Sequence, residues 1–139
     1  MNHLKNEKDT EYNTCTHLTY LCRYHVIFCP KYRRKILKDG KDIRLKELFL
    51  ETAEKHDFEI IDMEVMPDHV HLLISCNPRY GIIDCIKNLK YESARALYQE
   101  FPDIKRRLPC MWTRSSFVAT VGSVSLDVVR QYIENQKGR

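Results

Sequence analysis

Apolar positions first recur at every second residue. In HLTYLCRYHVIFC, His17 to Cys29, the side chains of Tyr20, Cys22, Tyr24, Val26 and Phe28 fall on one side of an extended chain, which predicts a strand. Pro30 ends it, because proline offers no amide hydrogen to a ladder. Beyond Gly40 the period changes. From Asp42 to His56, Ile43, Leu45, Leu48, Phe49, Thr52 and Ala53 recur at helical spacing. Period two returns over Phe58 to Val65 and His69 to Cys76, with Pro67 and Asp68 as the short turn of a hairpin. A second helix over about 82–101 would bury Ile82, Ile83, Ile86, Leu89, Ala94, Leu97 and Phe101. Pro102 and Pro109 bracket a basic loop. A strand over Ser116 to Val121, then Gly122, then a helix over about 126–136 capped by Ser125 complete the pattern.

The order β-α-β-β-α-β plus a terminal helix predicts an α+β, ferredoxin-like fold. It would have an antiparallel four-stranded sheet with two helices on one face and the other face open to a ligand or partner. Residues 1–15 read as a polar, flexible tail, and 16–139 as a single domain.

Composition narrows the class. With 139 residues, 43% hydrophobic and 30% charged, the chain suits one globular domain with a core of its own. No window approaches the ~20 apolar residues of a membrane span, and the N-terminal stretch lacks the apolar centre of a signal peptide, so a cytoplasmic protein is expected. Six cysteines contain no C-x-x-C pair, which excludes zinc-ribbon spacing. Cys22, Cys29, Cys76 and Cys85 lie in apolar stretches and read as small hydrophobes. The net charge of +4 says less than its distribution. KYRRK, Lys31 to Lys35, gathers four cations around one tyrosine, and Lys105 to Arg107 add three more. Such runs suit either nucleic acid or plain solvation.

Chemistry concentrates in MPDHVHLLISC, Met66 to Cys76. Period two sends His69 and His71 to one face of a strand and Val70, Leu72 and Ile74 to the other. Two imidazoles side by side can hold a divalent metal, with Asp68 as an orienting neighbour. Alone, the pair is better explained by one exposed ring and one satisfied by a hydrogen bond. The terminal helix adds weight to the first reading. Tyr132 and Gln136 are four apart and share one helical face, beside an apolar stripe of Leu126, Val129 and Ile133. A glutamine oxygen suits a hard cation, so two histidines and Gln136 could hold Mg²⁺ or Mn²⁺, completed by a phosphate oxygen and water. A phenol is a weak nucleophile while protonated, and a cation on the phosphate offsets the charge developed when Tyr132 attacks. The product would be a phosphotyrosine that conserves the bond energy for resealing.

Taken together these stretches resemble the single-tyrosine HUH transposases of bacterial and archaeal insertion sequences, the IS-two-hundred-like family. YHVIFCPKYRRKIL, MPDHVHLLI, IKNLKYESARAL, FVATVGSVS and RQYIENQ carry the resemblance in the family's order. It implies His69 and His71 as metal ligands, Gln136 as the third ligand and Tyr132 as the nucleophile that forms a 5′-phosphotyrosine and releases a 3′-hydroxyl. It implies a homodimer with shared sites, the tyrosine helix of one subunit docking on its twin, and Gly122 as the hinge that permits the exchange. The implied substrate is single-stranded DNA folded into imperfect hairpins at element ends. Lys31, Tyr32, Arg33, Arg34 and Lys35 would contact it, and Lys87, Lys90 and Arg95 are further candidates. Many relatives carry a Gly-aromatic pair before the last strand, where this chain has Arg114-Ser115-Ser116-Phe117.

Rival readings stay on the same residues. A relative acting on repeated extragenic palindromes, or a replication-type nickase, would share the chemistry. A non-catalytic single-strand-binding module would explain the basic runs but leaves His69, His71, Tyr132 and Gln136 as coincidence. A zinc hydrolase lacks an obvious third histidine, cysteine or carboxylate ligand.

Overall fold

A computed structural model describes residues 12–15, 17–122 and 126–135. Its centre is a four-stranded sheet in the order β4-β5-β3-β6, formed by β3 (Arg23–Phe28), β4 (Glu59–Met66), β5 (His69–Ser75) and β6 (Phe117–Thr120). Every neighbouring pair is antiparallel. Helices α1 (Lys41–Lys55) and α2 (Ile82–Glu100) cover one face, as the ferredoxin-like order requires.

Strand alternation decides which face they cover. Val26 and Phe28 of β3 and Val70, Leu72 and Ile74 of β5 are buried beneath the helices. Met63 and Val65 of β4 pack against the same core. From the helices come Leu45, Leu48, Phe49 and Ala53 of α1 and Cys85, Ile86, Leu89 and Leu97 of α2. Each Val, Leu, Ile or Phe among them contributes roughly 1.5–3 kcal/mol by leaving water. Ile43 and Ile83, expected inward, are exposed. Ile43 stands about 160° around the helix from Leu45, too far to reach the sheet.

The strand expected over 17–29 is two pieces with different partners. Leu18–Tyr20 (β2) pairs with Asn13–Cys15 (β1) in a separate two-stranded sheet, whereas β3 pairs with β5 and β6. The domain boundary expected at residue 16 therefore falls inside a hairpin. Tyr12 and Asn13 are buried, and Ser75 donates to Asn13 at 3.4 Å while Asn77 donates to the Cys15 sulfur at 3.3 Å. The rest of the expected tail, residues 1–11, lies outside the described residues.

The basic loop expected between Pro102 and Pro109 holds a short helix, α3 (Pro102–Arg107). Proline at the first helical position loses no bonded amide, and Lys105, Arg106 and Arg107 sit at the negative end of the helix dipole. The chain then returns past β3: Lys31 N–H donates to Met111 at 2.7 Å and Thr113 N–H to Cys29 at 3.0 Å. Trp112 thereby packs edge-on to Phe28, with centroids 4.8 Å apart. After β6 comes Gly122 at φ +49°, then α4 (Leu126–Asn135). Ser125, the expected cap, lies outside the described residues. Of the apolar stripe expected on α4, Ile133 is exposed and the side chains of Leu126 and Val129 lie outside the described residues; Val128 is buried. Among the described residues no helix is long and apolar enough to cross a membrane.

Candidate active site

The face of the sheet opposite α1 and α2 carries the histidines. Because Val70, Leu72 and Ile74 point into the core, His69 and His71 point out of it, and both are half-buried. The short turn at Pro67-Asp68 places a carboxylate directly before the pair.

Asp68 anchors His69. Its Oδ1 lies 2.9 Å from His69 Nδ1, and Arg33 Nη2 donates to its Oδ2 at 2.8 Å. The hydrogen bond from His69, followed by that from Arg33, holds the Asp68 carboxyl below its ordinary range. An ionised carboxylate can only accept, so His69 Nδ1 must carry the proton. In the neutral ring the lone pair of His69 then sits on Nε2, where it could meet a cation.

Arg33 reaches Asp68 from a strained loop. Tyr32 and Arg33 have φ of +60° and +50°, a region that side chains other than glycine seldom adopt. Buried Ile36 and Leu37 pin the loop, and Leu37 N–H donates to Pro67 at 3.0 Å, in the same turn that presents Asp68. Arg33, expected at DNA, is paired with the carboxylate that orients His69 while its side chain stays largely exposed. Tyr32, Arg34 and Lys35 are exposed, and Lys31 Nζ lies 5.6 Å over the Tyr32 ring.

His71 has a different neighbour. His25, on β3, places Nδ1 3.0 Å from His71 Nε2. His25 belongs to the outward register of β3, which the sequence reading passed over because it followed only the apolar side. With Asp62, Glu64 and Leu73 the two rings line a recess of about 100 Å³.

The histidine pair fits a divalent cation in donor chemistry, supplying two neutral imidazoles on one face. Among the described residues no three histidine, cysteine or acidic side chains group closely enough to hold a metal ion. A third ligand to such a cation would have to come from another kind of side chain or from outside the described residues. Tyr132 lies in α4, its side chain outside the described residues, as is the whole of Gln136.

The remaining basic candidates lie on the helix layer, away from the histidines. Lys87 and Arg95 are exposed on α2. Lys90 is engaged within the protein. Its ammonium donates to the carbonyls of Thr113 at 2.9 Å, Ser115 at 3.1 Å and Arg114 at 3.4 Å, and lies 5.2 Å over the Phe28 ring. Burial pushes its pKa down. Lys90 clamps the segment that leads into β6.

Residues 18–136 match the family described as "Transposase IS200 like". The chain is 39% identical over 119 residues to the ISDra2 transposase TnpA of Deinococcus radiodurans, covering 84% of this chain and 85% of that one. It is 30% identical over 122 residues to the transposase for insertion sequence element IS200 of Salmonella typhimurium, covering 86% and 80%. The crystal structure of a candidate transposase from Deinococcus radiodurans R1 superposes with a TM-score of 0.73 at 36% identity, over 88% of this chain and 96% of that one. A REP-associated tyrosine transposase bound to a REP hairpin shares the fold, with a TM-score of 0.58 at 13% identity over 88% and 68% of the chains.

Proposed function

The chain belongs to the IS200-like transposase family, and on that footing we propose that it cleaves and rejoins single-stranded DNA at insertion-sequence ends through a 5′-phosphotyrosine on Tyr132. His69, His71 and Gln136 would hold Mg²⁺ or Mn²⁺. The observation that carries this reading is the outward histidine pair, with His69 fixed by Asp68 so that Nε2 keeps its lone pair.

When bound, the cation makes phosphorus more electrophilic and offsets charge developing on the phosphate oxygens. The protein's own groups do the rest. Tyr132 Oη loses its proton and attacks the phosphorus of the scissile phosphodiester. The bond from phosphorus to O3′ breaks, and that oxygen takes up a proton as a free 3′-hydroxyl. Rejoining runs the same exchange backwards: a 3′-hydroxyl attacks the phosphotyrosine, and Tyr132 recovers its proton. One phosphoester replaces another at each step, so no nucleotide is consumed.

The loop from Lys31 to Lys35 supplies the DNA-facing cations on this reading. Arg34 and Lys35 suit phosphates, and Tyr32 has an open ring for stacking an unpaired base. Two copies of the chain would share sites, α4 of one docking on the histidines of the other, with Gly122 as the pivot.

The test is a labelled hairpin-bearing single-stranded oligonucleotide incubated with the protein and Mg²⁺ or Mn²⁺, then run on a denaturing gel. A covalent adduct should form, and should vanish in Tyr132→Phe and on chelation. An adduct that persists in Tyr132→Phe refutes the nucleophile. DNA binding with no adduct under either metal favours a binding module. A strictly monomeric but active protein in sedimentation rules out shared sites.

A further inference from the structure

The open sheet face holds an imidazole that the chemistry above leaves unused. His25 reaches diagonally across the β3–β5 ladder: it lies opposite Leu73, while His71 lies opposite Ile27. Val26 is fully buried, so its neighbours His25 and Ile27 turn outward with His71 and Leu73. The two rings stand with centroids 5.1 Å apart and planes inclined at 39°, with His25 Nδ1 3.0 Å from His71 Nε2.

At that spacing one nitrogen donates and the other accepts, because two facing N–H groups repel and two facing lone pairs make no bond. The two choices differ in what they leave to a cation. If His71 accepts, its only lone pair is occupied and Nδ1 carries the proton. If His71 donates from Nε2, its Nδ1 lone pair is free. While the contact stands, only the second state makes His71 a ligand.

We propose that His25 is the positioning residue of His71: its Nδ1 accepts a hydrogen bond from His71 Nε2–H and so presents the His71 Nδ1 lone pair to the cation. This rests on the reading of His69 and His71 as ligands. The two ligand rings are then held by different acceptors, a carboxylate for His69 and an imidazole for His71. His25 must in turn carry its own proton on Nε2. Asp62 and Glu64, which line the same recess, give that N–H an anionic border. A metal-binding histidine held through its other nitrogen has a fixed ring and a fixed tautomer, and removing such a partner typically weakens metal binding about 10–100-fold.

Two measurements test it. In metal-free wild-type protein with ¹⁵N-labelled histidine, long-range ¹H–¹⁵N correlation spectra should show His71 and His25 both protonated on Nε2. In Mn²⁺ titrations followed by electron paramagnetic resonance, His25→Phe, which keeps a ring but no acceptor, should raise Kd about 10–100-fold. His25→Gln, whose amide oxygen can accept, should recover most of that loss. A His71 protonated on Nδ1 in the metal-free protein overturns the proposal. So does a His25→Phe protein that binds Mn²⁺ within about twofold of wild type. Should His25→Phe not fold, the wild-type tautomer decides by itself. Failure of the wider reading looks different: His69→Ala would leave Mn²⁺ binding unchanged, or wild type would bind Mn²⁺ and form no adduct on Tyr132.

Discussion

Asp68→Ala should weaken divalent-metal binding more than any change at Arg33, although both belong to one chain of hydrogen bonds. Each oxygen of Asp68 has a partner: His69 at 2.9 Å on one, Arg33 at 2.8 Å on the other. The Asp68 side chain is 20% exposed and that of Arg33 70%. Truncating Asp68 removes the acceptor of His69 Nδ1–H, so the ring loses both its orientation and its preferred tautomer. Loss of such a partner typically costs 10–100-fold in affinity, about 1.4–2.7 kcal/mol. Asp68→Asn keeps an acceptor oxygen but no charge. Charge-assisted hydrogen bonds are roughly twice as strong as neutral ones, which places this variant at about half that free energy, near 3–10-fold. Arg33→Ala breaks an ion pair whose cation is largely in water, worth about 0–1 kcal/mol and so at most about fivefold. The assay is Mn²⁺ titration of the three variants, paired with adduct formation at limiting and excess metal. Excess metal should restore the adduct rate in the Asp68 variants. Wild-type affinity in Asp68→Ala, or a larger effect in Arg33→Ala, would refute the idea that the carboxylate orients His69. The pH dependence follows in sign. A depressed carboxyl contributes above its unfolded value and loses that contribution as pH falls through the folded one. The anchor is therefore intact at neutral pH and fails only in acid below the ordinary value of 3.8.

Other predictions follow from the packing. Lys90→Met should lower the midpoint of thermal unfolding by leaving the part-buried Thr113 carbonyl and the exposed carbonyls of Arg114 and Ser115 without their shared donor, a loss of about 0.5–1.5 kcal/mol, while DNA affinity changes little. A large loss of DNA affinity at unchanged stability would return Lys90 to the DNA surface. Gly122→Ala should cost about 1–2 kcal/mol, because φ is +49° there and a built Cβ meets no atom within 4 Å, so conformation alone sets the penalty. A stabilising effect in chemical denaturation would show that this backbone is not held at positive φ. Glu92 links α2 to α1 through His56 at 2.5 Å and Thr52 at 3.3 Å. Burial pushes its carboxyl up, but the bonds from His56 and the charge of Lys55 outweigh that and hold it below the ordinary 4.5. Its contribution to stability is present above 4.5 and lost as pH falls through the lowered value. Glu92→Gln should flatten that acid limb of stability, and an unchanged pH profile would contradict the linkage.

The chain's periodicities already determine most of the fold. Period two at Val26–Phe28 and Val70–Ile74, helical spacing in α1 and α2, and the Pro-Asp turn are local properties, and each survived because packing agreed with it. The outward direction of His69 and His71 was equally legible, since buried Val70, Leu72 and Ile74 leave those positions no other side. Three features were not legible, and all depend on residues far apart in sequence. Arg33 meets Asp68 across 35 positions, because the pinned loop after β3 crosses the β4–β5 turn. His25 meets His71 across 46, because the register of two strands, which neither strand encodes alone, sets that diagonal. Lys90 reads as a surface cation on α2 until the returning segment places three carbonyls over it. Local spacing tells which side a residue faces. Who stands opposite it is a property of register and chain crossing, and only the folded sheet decides that.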